Sequence, residues 1–263
     1  MGEVHYQIYS DSSDKPWLLL IHGLFGNLDN LSALRRQFTE SFQVLSIDLP
    51  DHGKSAFTQS FSFVQYAKLI FELVNTLDIT RLSIVGHSLG GKVAMQLALS
   101  QHELISHLIV LDIAPVDYTT RHTHVFQGLN NVVLAELTSR IEANIALSKY
   151  VEDSSTRQFL LKSLYNENSI WKWRFNLLLL QKDYAKLSAA IISLQTFLKP
   201  VLFIKGEHSD YLLPEHKPAV MKLFPNSHSK IISDTGHWLH AEKPDLCAKI
   251  ILSFLRKNKS TAN

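Results

Sequence analysis

The stretch "LSIVGHSLGGKVAMQLALS", residues 82–100, decides how the rest of the chain is interpreted. It opens with a short apolar run, passes through "GHSLG" (86–90), and continues directly into a helical pattern of apolar residues. The pentapeptide matches G-x-S-x-G, and a strand, a sharp turn and a helix are the context that this motif requires around a nucleophilic serine. We therefore predict that Ser88 is a nucleophile at the carboxyl end of a strand. The helix N-terminus beside it would favour developing negative charge.

Short apolar runs on either side of this stretch have the pattern of strands that are covered on both faces. Each is rich in Val, Ile and Leu and ends at Gly, Pro or Asp. Together with 82–88 they are 17–23, 42–50, 108–115, 201–206 and 229–237. Helical patterns occur between them at 62–77 and 89–100, and a closing helical pattern follows the last run at 244–256. The alternation predicts an α/β protein with a mainly parallel central sheet and helices on both faces.

Residues 116–198 interrupt the alternation with several helical stretches, many aromatic residues and no convincing strand. We predict that they form a helical cap inserted between two strands. Residues 1–115 and 199–263 would then form the α/β core. Insertions of this kind in α/β enzymes often cover the active site.

The composition excludes several classes of protein. The net charge is +2, which gives no reason to expect binding to nucleic acid or to a charged membrane surface. No apolar run approaches the roughly 20 residues of a membrane helix, so stable membrane insertion is not expected. The N-terminus has no apolar signal core, and the single cysteine, Cys247, excludes an internal disulfide. We expect a cytoplasmic protein. No metal-ligand spacing and no phosphate-binding glycine loop is present, so we expect neither a metal nor a cofactor.

A serine hydroxyl needs a base to act as a nucleophile at neutral pH. His237 follows the last predicted strand, comes after a glycine that permits a tight turn, and lies after Ser88 in the chain. That order fits a nucleophile-elbow hydrolase. His240, three residues later, is the alternative, but it is expected in the following turn or helix.

Acyl transfer also requires hydrogen-bond donors for an oxyanion. The backbone N–H of Leu89, directly after the serine, is one candidate. The loop after the strand 17–23 reads "HGLFG" (22–26), so the N–H of Leu24 is the natural second donor. We expect the ring of His22 to hold this loop by hydrogen bonds rather than to act in catalysis.

The carboxylate that orients the base should follow a strand at the same edge of the sheet. Two positions qualify from the residues alone. Asp112 ends the run 108–115, and Asp210 follows the run 201–206. Asp112 could otherwise cap the start of the insertion, and Asp210 could be a solvated loop residue.

Several longer segments point to one family. They are "HGLFGNLDNL", "GHSLGGKVAM", "LDIAPVDY", "FLLKSL", "WRFN" and "GHWLHAEKP", spread over residues 22–244. With these segments the chain resembles α/β-hydrolase-fold esterases, in particular the bacterial YbfF esterase group and related abhydrolase-domain proteins. The resemblance implies the α/β-hydrolase fold. Much of the superfamily has its acid at Gly-x-x-Asp after the later strand, and here that spacing from Gly206 falls on Ser209. In the YbfF-like group the aspartate of "DIAP" is the better match, so the resemblance favours Asp112 over Asp210.

These observations predict a serine esterase or thioesterase that acts on a small-molecule acyl ester or thioester through an acyl-enzyme on Ser88. Phe25, Trp238 and aromatic residues of the insertion would line an acyl pocket. Two alternatives stay open at this point. One is another reaction of the same fold, such as C–C bond hydrolysis, perhydrolysis or a lyase step. The other is a non-catalytic binding protein with a hydrolase fold.

Overall fold

The computed structural model describes residues 3–10 and 12–258. Within them the strands are β1 Tyr6–Tyr9, β2 Trp17–Ile21, β3 Gln43–Ile47, β4 Leu82–His87, β5 Ile105–Leu111, β6 Leu164–Glu167, β7 Ile170–Trp173, β8 Val201–Gly206 and β9 Ser227–Ile232. The α-helices are α1 Ser32–Phe38, α2 Phe63–Thr76, α3 Leu89–Ser100, α4 Thr123–Asn130, α5 Arg140–Ser148, α6 Ser154–Leu161, α7 Leu177–Lys182, α8 Tyr184–Ser188, α9 Lys217–Leu223, α10 Leu239–Glu242 and α11 Pro244–Lys257. Short 3-10 helices span Leu28–Leu31, Leu134–Glu136 and Pro214–His216.

Seven strands form one sheet in the order β1-β3-β2-β4-β5-β8-β9. All neighbours are parallel except β1, which pairs antiparallel with β3 at the edge. The predicted α/β fold with a mainly parallel sheet is therefore confirmed. The edge strand β1 was not predicted, because its four residues are largely exposed and lack the apolar run of a central strand.

The sheet is covered on both faces because side chains alternate along each strand. Leu19 and Ile21 of β2 pack with α2 and α3 on one face. Leu18 and Leu20 of the same strand pack with α1 and α11 on the other. Helix α2 begins after Ser62, whose side chain accepts the N–H of Gln65 and caps the helix.

Helices α4–α8 lie in the segment between β5 and β8, two strands that pair directly in the sheet. The expectation that this insertion (residues 116–198) contains no strand is wrong, because β6 and β7 form an antiparallel hairpin within it. Asn168 and Ser169 connect the two strands with φ of 51° and 65°. Positive φ at both central residues is typical of a tight hairpin turn, and asparagine tolerates it well. Among the described helices, none combines the length and apolar character needed to cross a bilayer.

Candidate active site

Ser88 lies at the sharp turn between β4 and α3, with φ of 52° and ψ of −119°. Such a backbone conformation is strained for a residue other than glycine and persists only where the surroundings enforce it. The flanking glycines permit the turn. A Cβ on Gly86 would lie 2.4 Å from the Gly90 carbonyl oxygen, and a Cβ on Gly90 would lie 2.3 Å from the His22 carbonyl oxygen. Leu89 is the first residue of α3, so its N–H has no acceptor within the helix.

Asp112 immediately follows β5 and is fully buried. Its Oδ2 accepts a hydrogen bond from Nδ1 of His237 at 2.7 Å. Its Oδ1 accepts the backbone N–H of Gly206 at 3.1 Å, and the hydroxyl of Ser209 also donates to Oδ2. Because the carboxylate accepts from Nδ1, the proton of a neutral His237 ring lies on that nitrogen and leaves the Nε2 lone pair free.

Asp210 lies elsewhere. Its Oδ1 accepts from Nη1 of Arg121 at 2.5 Å, and its side chain is 69% exposed. Of the two candidate acids, the structure brings only Asp112 to His237. Ser209, three residues after Gly206, donates its hydroxyl proton to Asp112, a contact that the sequence did not predict.

The His237 ring and its backbone are held by two further aromatic side chains. The ring of Tyr211 stacks on the ring of His237, with centroids 4.0 Å apart and an interplanar angle of 22°. Nε2 of His87 donates to the carbonyl oxygen of His237 at 2.9 Å. Burial holds the pKa of His87 well below its usual value, so its ring is a neutral donor at physiological pH. These contacts fix both the orientation of His237 and the position of its loop.

His240, the alternative base, lies in α10 with its ring centroid 4.3 Å from that of His87. It is 3% exposed, and burial lowers its pKa to about 3. Ser88 lines two cavities. His237 lines one of them, and His240 lines neither. The geometry therefore favours His237 over His240 as the partner of the serine.

The loop that carries Leu24 is fixed from both ends. Nδ1 of His22 donates to the carbonyl oxygen of Gly23 at 2.7 Å, and its Nε2 accepts the N–H of Leu49 at 2.9 Å. Burial lowers the pKa of His22, which keeps the ring neutral and able to donate and accept at once. From the insertion, Oγ of Ser163 donates to the carbonyl oxygen of Phe25 at 2.8 Å. His22 thus holds the loop by hydrogen bonds.

Two cavities share Ser88. The larger has a volume of about 200 Å³ and is lined by Gly23, Leu24, Phe25, His87, Ser88, His122, Val125, Thr156, Phe159, Leu160, Tyr211, His237 and Trp238. The smaller has a volume of about 40 Å³ and is lined by Leu24, Ser88, Leu89, Lys92, Ile113, Tyr118, Arg121, His122, Tyr184, Leu187, Ser188 and Tyr211. The predicted pocket residues Phe25 and Trp238 both line the larger cavity. Sequence reasoning did not identify Arg121 or Tyr211 as site residues, because neither lies in a motif.

The alpha/beta hydrolase fold family matches residues 16–244. The chain belongs to this family. Within this hydrolase-fold family it is 33% identical to esterase YbfF of Escherichia coli, over 90% of this chain and 92% of that protein. It is 32% identical to the sn-1-specific diacylglycerol lipase ABHD11 of Xenopus laevis, over 96% of this chain and 84% of that protein. A solved structure, a marine microorganism esterase, superposes with a TM-score of 0.94 at 30% identity, covering 97% of this chain and all of that one. The resemblance inferred from the sequence is confirmed.

Proposed function

We propose that this hydrolase-fold protein is a serine carboxylic ester hydrolase in which Ser88, His237 and Asp112 form the catalytic triad. The observation that carries the proposal is the hydrogen bond between His237 and the buried Asp112. His237 also lines the same cavity as Ser88, which lies in a strained turn. The esterase names of two relatives at least 30% identical over most of the chain support the same reaction class.

In the first half of the reaction, Oγ of Ser88 attacks the ester carbonyl carbon while Nε2 of His237 takes the hydroxyl proton. The carbonyl oxygen becomes an oxyanion, and the N–H groups of Leu24 and Leu89 stabilise it. Asp112 holds the imidazole in the required tautomer and stabilises the imidazolium without taking its proton. The tetrahedral intermediate collapses when the bond to the leaving oxygen breaks, and His237 protonates that oxygen.

In the second half, His237 takes a proton from water, and the resulting hydroxide attacks the acyl carbon of the acyl-serine. The bond to Ser88 Oγ breaks, His237 returns the proton to that oxygen, and the carboxylic acid leaves. A thioester substrate would follow the same steps with sulfur in place of the leaving oxygen.

Labelling with a fluorophosphonate probe, together with hydrolysis of p-nitrophenyl butyrate, tests the proposal. We expect the wild-type protein to be labelled and to turn over the ester. Ser88→Ala should lose both properties, and His237→Ala should lose more than about 10³-fold in kcat. Ser100→Ala, at the far end of the same helix, is the matched control and should behave as wild type. Unreduced hydrolysis in Ser88→Ala would refute the proposal. Parallel assays with butyryl-CoA separate esters from thioesters.

A further inference from the structure

Strand β9 (Ser227–Ile232) forms one edge of the seven-stranded sheet. Its inner side pairs in parallel with β8, and its outer side pairs with no strand of the residues that the structure describes. Residues 228–231, the middle of the strand, are all exposed. An edge strand presents a row of unpaired N–H and C=O groups, which is a template for another extended segment. The outer side of β9 can therefore accept a further strand.

A groove lies beside this edge on each face of the sheet. One groove, of about 350 Å³, is lined by residues of β9 and α9 and includes Leu212, Met221 and Ile231. The other, of about 530 Å³, is lined by residues of β9 and α11 and includes Leu246 and Ile250. Helix α9 packs with the core on one face of the sheet, and α11 packs with the core on the other. Because successive side chains of a strand point to opposite faces, a strand added to β9 would place its side chains in the two grooves alternately.

The charge of the two grooves has one sign. Among the described residues that line them are Lys205, Lys217, Lys230, Lys249 and Lys257, and none is an aspartate or a glutamate. Lys205 donates to three backbone carbonyl groups. The ammonium groups of the other four lysines are exposed and have no hydrogen bond or ion pair with a described residue. Since the whole chain has a net charge of only +2, this edge concentrates positive charge and favours an anionic partner.

We propose that this edge binds an extended, acidic peptide segment of another protein, and that the segment adds to β9 as a further strand of the sheet. Its main chain would pair with the outer side of β9, which supplies affinity in this mode of recognition. Its carboxylates would face the four exposed lysines, and its apolar side chains would contact Met221, Ile231 and Leu246. The grooves share no lining residue with the two cavities at Ser88, so the proposal does not depend on the esterase reaction.

Two other occupants fit these observations less well. A second copy of this chain, paired through its own β9, would bring two lysine-lined edges together, and like charges across paired strands are destabilising. A lipid bilayer is flat and approaches from one side, whereas the grooves lie on opposite faces of the sheet. A single extended chain is the shape that reaches both grooves and the strand edge between them.

Fluorescence anisotropy with a labelled decapeptide tests the proposal. The peptide alternates pairs of glutamates with pairs of valines or isoleucines, so that both of its faces carry acidic and apolar side chains. We expect saturable binding that weakens as NaCl is raised from about 50 mM to about 300 mM. The double variant Lys230→Glu/Lys249→Glu should raise Kd about 10-fold or more, because each change removes an attraction and adds a repulsion. Lys149→Glu/Lys182→Glu, which makes the same change of net charge at two exposed lysines of the insertion, is the matched control and should leave Kd within about twofold. Thermal unfolding verifies that both variants are folded.

Two further measurements locate the peptide and its backbone. Hydrogen exchange followed by mass spectrometry should show slower exchange of residues 227–232 in the complex, because the added strand protects the outward N–H groups of β9. A decapeptide that is N-methylated at its central residues keeps its charge but loses its donors, and it should bind about 10-fold or more weakly.

Equal binding of the N-methylated peptide, or unchanged exchange at β9, would overturn strand addition. Equal Kd values for the wild type and Lys230→Glu/Lys249→Glu would overturn the role of the lysines. If the peptide does not bind, the proposal fails, and two parallel experiments identify the occupant instead. Binding to vesicles of phosphatidylserine and phosphatidylcholine that these lysines control would show a lipid surface. A dimer in sedimentation whose stability the same variant changes would show a second copy of the chain.

Discussion

Replacing Asp112 with asparagine tests the assignment of the acid. In the folded protein the two carboxylate oxygens of Asp112 accept from the Gly206 N–H, the Ser209 hydroxyl and Nδ1 of His237. Asparagine has one acceptor oxygen and one NH₂ group. If its oxygen keeps the bond to Gly206, its NH₂ group faces His237 and Ser209. The hydroxyl of Ser209 can rotate to accept, but Nδ1 of His237 must also become an acceptor. The ring proton then moves to Nε2, which can no longer take a proton from Ser88.

The loss of this tautomer and of the charge beside the imidazolium is expected to lower kcat by about 10³- to 10⁴-fold. That corresponds to about 4–5.5 kcal/mol of transition-state stabilisation. The fold should persist, because asparagine has nearly the same shape and each of its polar atoms keeps a partner. We therefore expect the thermal unfolding midpoint of Asp112→Asn to stay within a few degrees of wild type.

Asp210→Asn is the matched control. It removes an ion pair between Arg121 and a carboxylate that is 69% exposed, and exposed pairs contribute about 0–1 kcal/mol. With p-nitrophenyl butyrate as the substrate, its kcat should stay within about threefold of wild type. Steady-state kcat and thermal unfolding are measured for both variants. If Asp210→Asn loses activity by orders of magnitude while Asp112→Asn retains it, the argument from the hydrogen bonds is wrong.

Two other predictions concern stability. Lys92→Met removes a buried ammonium that donates to three backbone carbonyls at 2.6–3.0 Å. It should lower the free energy of unfolding by about 1–3 kcal/mol, because the carbonyls lose their donor, and an unchanged urea midpoint would contradict this. The second follows from burial, which lowers the pKa of both His52 and His240 to about 3. Burial also lowers the pKa of His22, His87 and His122. The unfolded chain binds a proton on each of these rings below about pH 6.5 that the folded chain refuses. His52 and His240 alone should therefore lower the free energy of unfolding by about 2–3 kcal/mol per pH unit between pH 6 and pH 4, and the other buried rings add to this slope. Urea titrations at several pH values measure this slope, and His240→Gln should reduce it by about 1.4 kcal/mol per pH unit.

The parts of the fold that were predictable are those with a local signal. The strand, turn and helix around Ser88 are specified within residues 82–100, where the apolar run and the glycines all lie. The strands β2, β3 and β8 were likewise visible as apolar runs, because buried parallel strands are hydrophobic on both faces. The edge strand β1 and the hairpin β6–β7 were missed. Their side chains are mostly exposed or partly exposed, so neither forms a continuous apolar run.

The arrangement around His237 depends on contacts between distant parts of the chain. Asp112 and His237 are 125 positions apart, and the residues alone left Asp210 open as an alternative. What separates the two aspartates is direction and burial. Asp112 has a positive φ of 53° at the end of β5 and is fully buried, whereas the loop after β8 directs Asp210 toward Arg121 and solvent. The spacing of apolar residues in the sequence does not distinguish these two environments of an aspartate. Tyr211 and Arg121 become site residues only because the loop after β8 and the insertion meet at Ser88.

Lys92, which lies on α3 one helical turn after Ser88, joins the insertion to the turn that carries this serine. Its Nζ donates to the carbonyl oxygen of Val116, where the insertion begins, and to those of Ser188 and Ala189, where α8 ends. A single buried side chain thus binds the start of the insertion and a point near its end to the helix that begins directly after Ser88. Lifting the base of the insertion would break all three hydrogen bonds at once, which is more costly than moving an exposed loop. Tyr118, Tyr184 and Leu187, which line the smaller cavity, belong to the segment that Lys92 holds. The width of that cavity is therefore set by the same packing that positions the serine.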